Sequence, residues 1–126
     1  MNNHALLPVC SIATVILLTF HLADDVVLGK DVLDIGRLSI YLPINAAWAC
    51  GALLLARRRL GCVILILGAL LGLVVVAIHA SGPQGIHGTF WHVWLLVAIG
   101  STSLFSLLLA TISLAGQYRE RRAAAN

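Results

Sequence analysis

The chain is expected to fold as an all-α protein, a four-transmembrane-helix bundle with both termini cytoplasmic, and three observations lead there. Of its 126 residues, 60% are hydrophobic and 10% are charged, and the mean hydropathy is +1.00, far outside the range of soluble domains. Four apolar runs alternate with breaks marked by charges, glycine or proline, as helix ends are. At about 20 residues for each crossing of a hydrocarbon core of about 30 Å, the length leaves room for four spans and little else. The reading is therefore one integral membrane domain over residues 1–126.

The first helix is expected from about Ala5 to Leu22. It is expected to be retained rather than cleaved as a signal peptide. No Lys or Arg stands ahead of it, and His21 occupies the position two before Ala23 where a small residue is wanted. A polar stretch containing Asp24, Asp25, Lys30, Asp31, Asp34 and Arg37 separates it from the second helix, placed over 38–56. Pro43 removes a backbone donor there and is expected to bend the helix, opening a lateral pocket beside Asn45 and Trp48. Arg57, Arg58 and Arg59 form the next turn. The third helix is expected over 60–79, with Gly68 and Gly72 as a small-xxx-small pair that lets a neighbour approach. A glycine-rich loop bearing His87 follows. The fourth helix is expected over 90–115, and its Ser101, Thr102 and Ser103 are suited to bonding their own backbone or a neighbouring helix.

Orientation follows from the short basic loops, which stay in the cytoplasm. Arg57, Arg58 and Arg59 mark the second turn as cytoplasmic, and Arg119, Arg121 and Arg122 mark the tail. The acidic first loop and the third loop then lie outside, with Trp91, Trp94 and Tyr41 near that interface. The localisation this implies is the cell inner membrane, multi-pass.

This topology gathers the polar residues. His21 ends the first helix on the outer side, His79 ends the third there, and His92 opens the fourth. At about 1.5 Å per residue, His21 and His79 stand roughly 24 to 29 Å above the inner ends of their helices, so their depths match. Asp24 and Asp25 follow His21 by three and four residues, on one face if the helix continues. Imidazole and carboxylate together suit a divalent metal ion, Zn, Fe, Mn or Cu(II), and the candidate ligands are His21, Asp24, Asp25, His79 and His92. His87 either closes the site or faces water, and Asn45 is placed to support it from beneath. A catalytic site of this kind would activate water for hydrolysis of a membrane-associated substrate, with a spare aspartate as general base.

Alternatives stay open at this stage. Polar residues gather at membrane interfaces in any membrane protein, where histidines cap, snorkel or hydrogen-bond. Two histidines at one depth also meet the requirement for bis-histidine haem b, ranked below an ion because carboxylates crowd the position. A further reading is an accessory subunit, packing as a homo-oligomer or in a larger membrane complex beside its lipid bilayer. Cys10, Cys50 and Cys62, an odd count on the inner side, read as packing residues. No phosphate-binding glycine loop, nucleophile elbow or paired-histidine zinc motif is present. The net charge of +3 comes from topology-setting arginines that meet anionic lipid heads, so no nucleic-acid partner is expected.

The segment His21-Leu22-Ala23-Asp24-Asp25-Val26-Val27-Leu28-Gly29, followed by Arg57, Arg58 and Arg59 and then His79, is similar to segments of small uncharacterised bacterial four-helix integral membrane proteins. That resemblance covers most of the chain. It implies a prokaryotic inner-membrane protein and carries no activity, ligand or site residue with it.

Overall fold

Four helices account for the secondary structure of the described residues: α1 (Asn3–Val27), α2 (Ile35–Leu54), α3 (Arg59–Ser81) and α4 (Phe90–Ala125). The computed structural model describes residues 3–27, 35–56, 58–81 and 90–125, with side chains from Leu6 in the first stretch and from Ser39 in the second. The expectations placed on His87, Arg57 and the acidic first loop beyond Val27 lie outside the described residues, as does the side chain of Arg37.

The all-α expectation holds, while the helix boundaries differ from it. α1 runs past Leu22 to Val27, so Asp24 and Asp25 are helical. Charge ends an apolar run without ending a helix, and Val26 and Val27 continue the chain beyond the two aspartates. α4 runs past Ala115 to Ala125, because its polar extension, Gln117 to Ala125, is rich in Arg, Glu, Gln and Ala, which are strong helix formers. α2 begins before residue 38 and stops at Leu54 rather than 56. A tight turn, in which the Arg58 amide donates to the Leu55 carbonyl at 2.7 Å, leads into α3.

Among the described residues α1, α3 and α4 are long and apolar enough to cross a membrane, whereas the apolar part of α2, Ser39–Leu54, is shorter. With its polar start, α2 has 20 residues, or about 30 Å of helix at about 1.5 Å per residue.

Neighbours in sequence are neighbours in space. α4 packs along α3 and α1, α2 lies against α1 and α3, α1 and α3 meet across the shorter diagonal, and α2 does not touch α4 among the described residues. Three layers fix the relative heights of the helices. The Oγ atoms of Ser11 on α1 and Ser106 on α4 share a buried hydrogen bond at 2.5 Å. Arg59 at the start of α3 reaches Gln117 near the end of α4. His79, near the end of α3, meets His92 at the start of α4 and His21 near the end of α1. α1 and α3 therefore run parallel, with α4 antiparallel to both.

Small residues make this closeness possible, since helices in lipid gain little from burying apolar surface against one another and associate by tight packing and hydrogen bonds. A Cβ on Gly68 would collide with the Trp48 indole, and one on Gly72 would collide with the Ser103 hydroxyl. Both glycines are buried, as the small-xxx-small reading requires. Trp48 is 1% exposed, with its indole packed on Gly68. Asn45 donates to the carbonyl of Tyr41 in its own helix at 3.1 Å and takes no part in the histidine layer. Ser101 and Thr102 bond back to Val97 and Ala98 in their own helix.

Gly68→Leu is expected to destabilise the bundle by about 1–3 kcal/mol through overpacking against Trp48. Gly116→Leu, where nothing stands within 4 Å of an added Cβ, is expected to leave the thermal midpoint unchanged. Thermal unfolding in mild detergent, followed by circular dichroism, checks the pair; equal midpoints would contradict the α2–α3 packing.

Candidate metal centre

All five sequence-derived candidates converge at the end of the bundle where α1 and α3 finish and α4 begins. His21, Asp24 and Asp25 come from the last turns of α1, His79 from the end of α3 and His92 from the first turn of α4. The three imidazole rings touch one another, with centroids 4.7 Å apart for His21 and His79, 5.0 Å for His21 and His92, and 5.6 Å for His79 and His92. Ligand atoms of His21, Asp25 and His92 lie within 4.8 Å of one another, and all three residues are buried. Donor atoms bound at about 2.0–2.2 Å around one ion stand no more than about 4.4 Å apart, so a small rotamer adjustment would close the set.

Asp25 is the hub. Its Oδ2 lies 3.3 Å from His21 Nε2 and 3.7 Å from His79 Nε2, and its Oδ1 lies 3.8 Å from His92 Nδ1. The His21 contact has the distance of an ion pair without the alignment of a hydrogen bond. Both ring nitrogens of His21 and Oδ1 of Asp25 are buried with no hydrogen-bond partner. Buried polar atoms are nearly always bonded, and leaving one unpaired costs about 1–3 kcal/mol. Three such atoms in one contact cluster call for a group to satisfy them.

The other two histidines are each held through Nδ1. His79 Nδ1 lies 2.9 Å from the carbonyl of Val75. A carbonyl only accepts, so Nδ1 carries a proton, and Nε2 is the ring nitrogen that faces Asp25. His92 Nδ1 lies 2.8 Å from Asp24 Oδ2, the shortest polar contact of the cluster. The adjacent aspartates thus differ in position: Asp25 stands among the rings, while Asp24 accepts from His92 and orients it. Metal-binding histidines are commonly held in this way, with a carbonyl or carboxylate on the nitrogen that is not the ligand.

Charge points in the same direction. With the three imidazoles neutral, two carboxylates would leave the cluster two net negative charges, at the end of helices otherwise apolar enough to span a membrane. Uncompensated charge at such a depth is costly. A divalent cation, or two protons, would cancel it.

The cysteines lie elsewhere. Cys62 is buried beside Ser113 and Gln117 at the far end of the bundle, and Cys10 sits well below His21 on α1. Among the described residues no soft ligand joins the cluster. Sequence reasoning passed over the buried hydroxyls of Ser11, Thr14 and Ser106. The signal for Ser106 was its i, i+3 spacing from Ser103, which puts both on one face of α4.

Nitrogen-15 NMR of histidine-labelled protein in micelles is expected to show His79 and His92 in the Nδ1–H form. An Nε2–H signal from either ring, without a proton on Nδ1, would contradict these hydrogen bonds. Compared with protein-family models, curated proteins and solved structures, the chain matches none of them, so its functional reading stands on the geometry of this cluster.

Proposed function

We propose that the protein is a four-pass membrane protein that holds a divalent metal ion at its extracytoplasmic face, with His21, His79, His92 and Asp25 as the ligands and Asp24 orienting His92. The observation that carries this reading is the set of buried atoms without hydrogen-bond partners, both nitrogens of His21 and Oδ1 of Asp25, inside a layer of three touching imidazoles. Neutral imidazole and carboxylate donors without a thiolate suit Zn, Fe, Mn or Cu(II). Ring-to-ring contact favours an ion over haem, because a macrocycle held between two axial histidines needs an open slot between them.

Bound there, an ion supplies Lewis acidity towards a carbonyl or phosphoryl oxygen, the chemistry of metal-assisted hydrolysis of a membrane-associated substrate. Asp24 already engages His92 at 2.8 Å, so the aspartate outside the ligand set is a positioning residue in this proposal.

The cytoplasmic placement of the termini rests on Arg58 and Arg59 before α3 and on Arg119, Arg121 and Arg122 near the end of α4, which the antiparallel arrangement of α3 and α4 brings to the same end. A fluorescent protein fused to the C-terminus is expected to mature and a periplasmic phosphatase fusion to stay inactive; the reverse pattern would invert the topology.

The metal reading is tested by elemental analysis and a visible spectrum of protein purified in mild detergent without a polyhistidine tag. About one equivalent of a divalent transition metal per chain is expected, either as purified or after loading. His21→Ala and Asp25→Ala should lose it while keeping their helical spectrum, and Asn45→Ala should retain it. Metal-free wild-type protein that cannot be loaded by added zinc, manganese or ferrous iron would overturn the proposal and leave a proton-compensated polar layer.

A further inference from the structure

The end of the bundle opposite the histidines is built from the turn into α3 and the polar extension of α4. Arg58, Arg59, Gln117, Glu120, Arg121 and Ala124 line a groove of about 520 Å³ there. That is within the roughly 300–1,000 Å³ range of small-ligand sites. Three arginines and one glutamate give the lining a formal charge of 3 − 1 = +2. Among the described residues none of the three guanidinium groups is ion-paired with a carboxylate.

Arg59 is fixed in place. Its Nη2 donates to the Gln117 carbonyl at 3.3 Å, and its guanidinium carbon lies 4.4 Å over the ring of Tyr118. Stacking and a backbone hydrogen bond restrict the side chain in advance, so its planar fork is presented at lower entropic cost than a freely moving lysine would be. Arg58 and Arg121 are exposed and flank it. Tyr118 is largely exposed where α4 leaves its apolar run, the level at which amphipathic rings settle among headgroups.

We infer that this groove is a binding site for a phosphate-bearing anion, presented by the headgroup of an anionic phospholipid of the surrounding leaflet. Setting topology requires only that arginines stand on one side of the membrane. It does not require them to converge from two helices more than fifty residues apart on one groove, nor one of them to be clamped on a tyrosine. The site is remote from the histidine layer and stands independently of any metal there.

Native mass spectrometry of the full chain in non-ionic detergent tests it, with dioleoylphosphatidylglycerol, dioleoylphosphatidylcholine and inorganic phosphate as probes, singly and in competition. One phosphatidylglycerol should be retained in preference to phosphatidylcholine. Arg121→Gln and Arg59→Gln should each weaken that retention about tenfold, the effect of losing one hydrogen bond between charged groups. Arg119→Gln, an equal charge change outside the groove, should leave it unaltered, and Arg59→Lys should recover part of the loss. The exposed Arg121 carries the test should Arg59→Gln disturb folding.

Displacement of the lipid by inorganic phosphate would identify the free anion as the ligand, and retention against it would identify the headgroup; either places a phosphate site in the groove. Equal retention of the two phospholipids, or equal losses in Arg119→Gln and Arg121→Gln, would overturn the inference.

Discussion

Two adjacent carboxylates at the end of an apolar helix set the terms for the rest of this molecule. Asp24 and Asp25 belong to a helix whose apolar span runs to Val27, and an uncompensated ion at such a depth costs several kcal/mol. The groups placed to hold a compensating ion or protons are three imidazoles carried by three helices. A residue rotates by about 100° around a helix axis relative to the next, so a slip of one position in α1, α3 or α4 would turn a ring or a carboxylate out of the layer. Charge compensation at this end therefore fixes the height and rotation of each of the three helices.

The lower layers make that register affordable. Gly72 admits Ser103, Gly68 admits Trp48, and Ser11 bonds Ser106 across the bundle. Such interhelical hydrogen bonds contribute on the order of 0.6 kcal/mol each in membrane proteins, too little to hold a bundle alone but enough to favour one register among packed alternatives. Arg59 against Gln117 and Tyr118 closes the stack at the other end. The imidazoles are thus mounted on close-packed helices rather than on loops, the arrangement that holds a binding site rigid.

Much of this was legible in the residues. Hydropathy alone indicated four helices, and matching the rise per residue put His21 and His79 at one depth. The helix ends were misjudged where composition changes without the helix stopping, at Asp24 and Asp25 in α1 and along Gln117 to Ala125 in α4. The different positions of Asp24 and Asp25 could not be read, because only the azimuth of α1 against α3 and α4 decides which neighbour points into the rings. The same holds for Ser101, Thr102 and Ser103: the first two bond their own helix, while Ser103 turns inward against Gly72. The arginines read as topology signals because their convergence on one groove depends on how far α4 extends.

X-ray absorption spectroscopy at the edge of the metal that co-purifies with, or is loaded into, the full chain tests the central claim most directly. Two or three imidazole nitrogens at about 2.0–2.1 Å, with one oxygen at similar distance, are expected from His21, His79, His92 and Asp25. A shell of oxygen alone, without the outer-ring scattering of imidazole, would mean that the ion is bound elsewhere and that the histidine layer is balanced by protons.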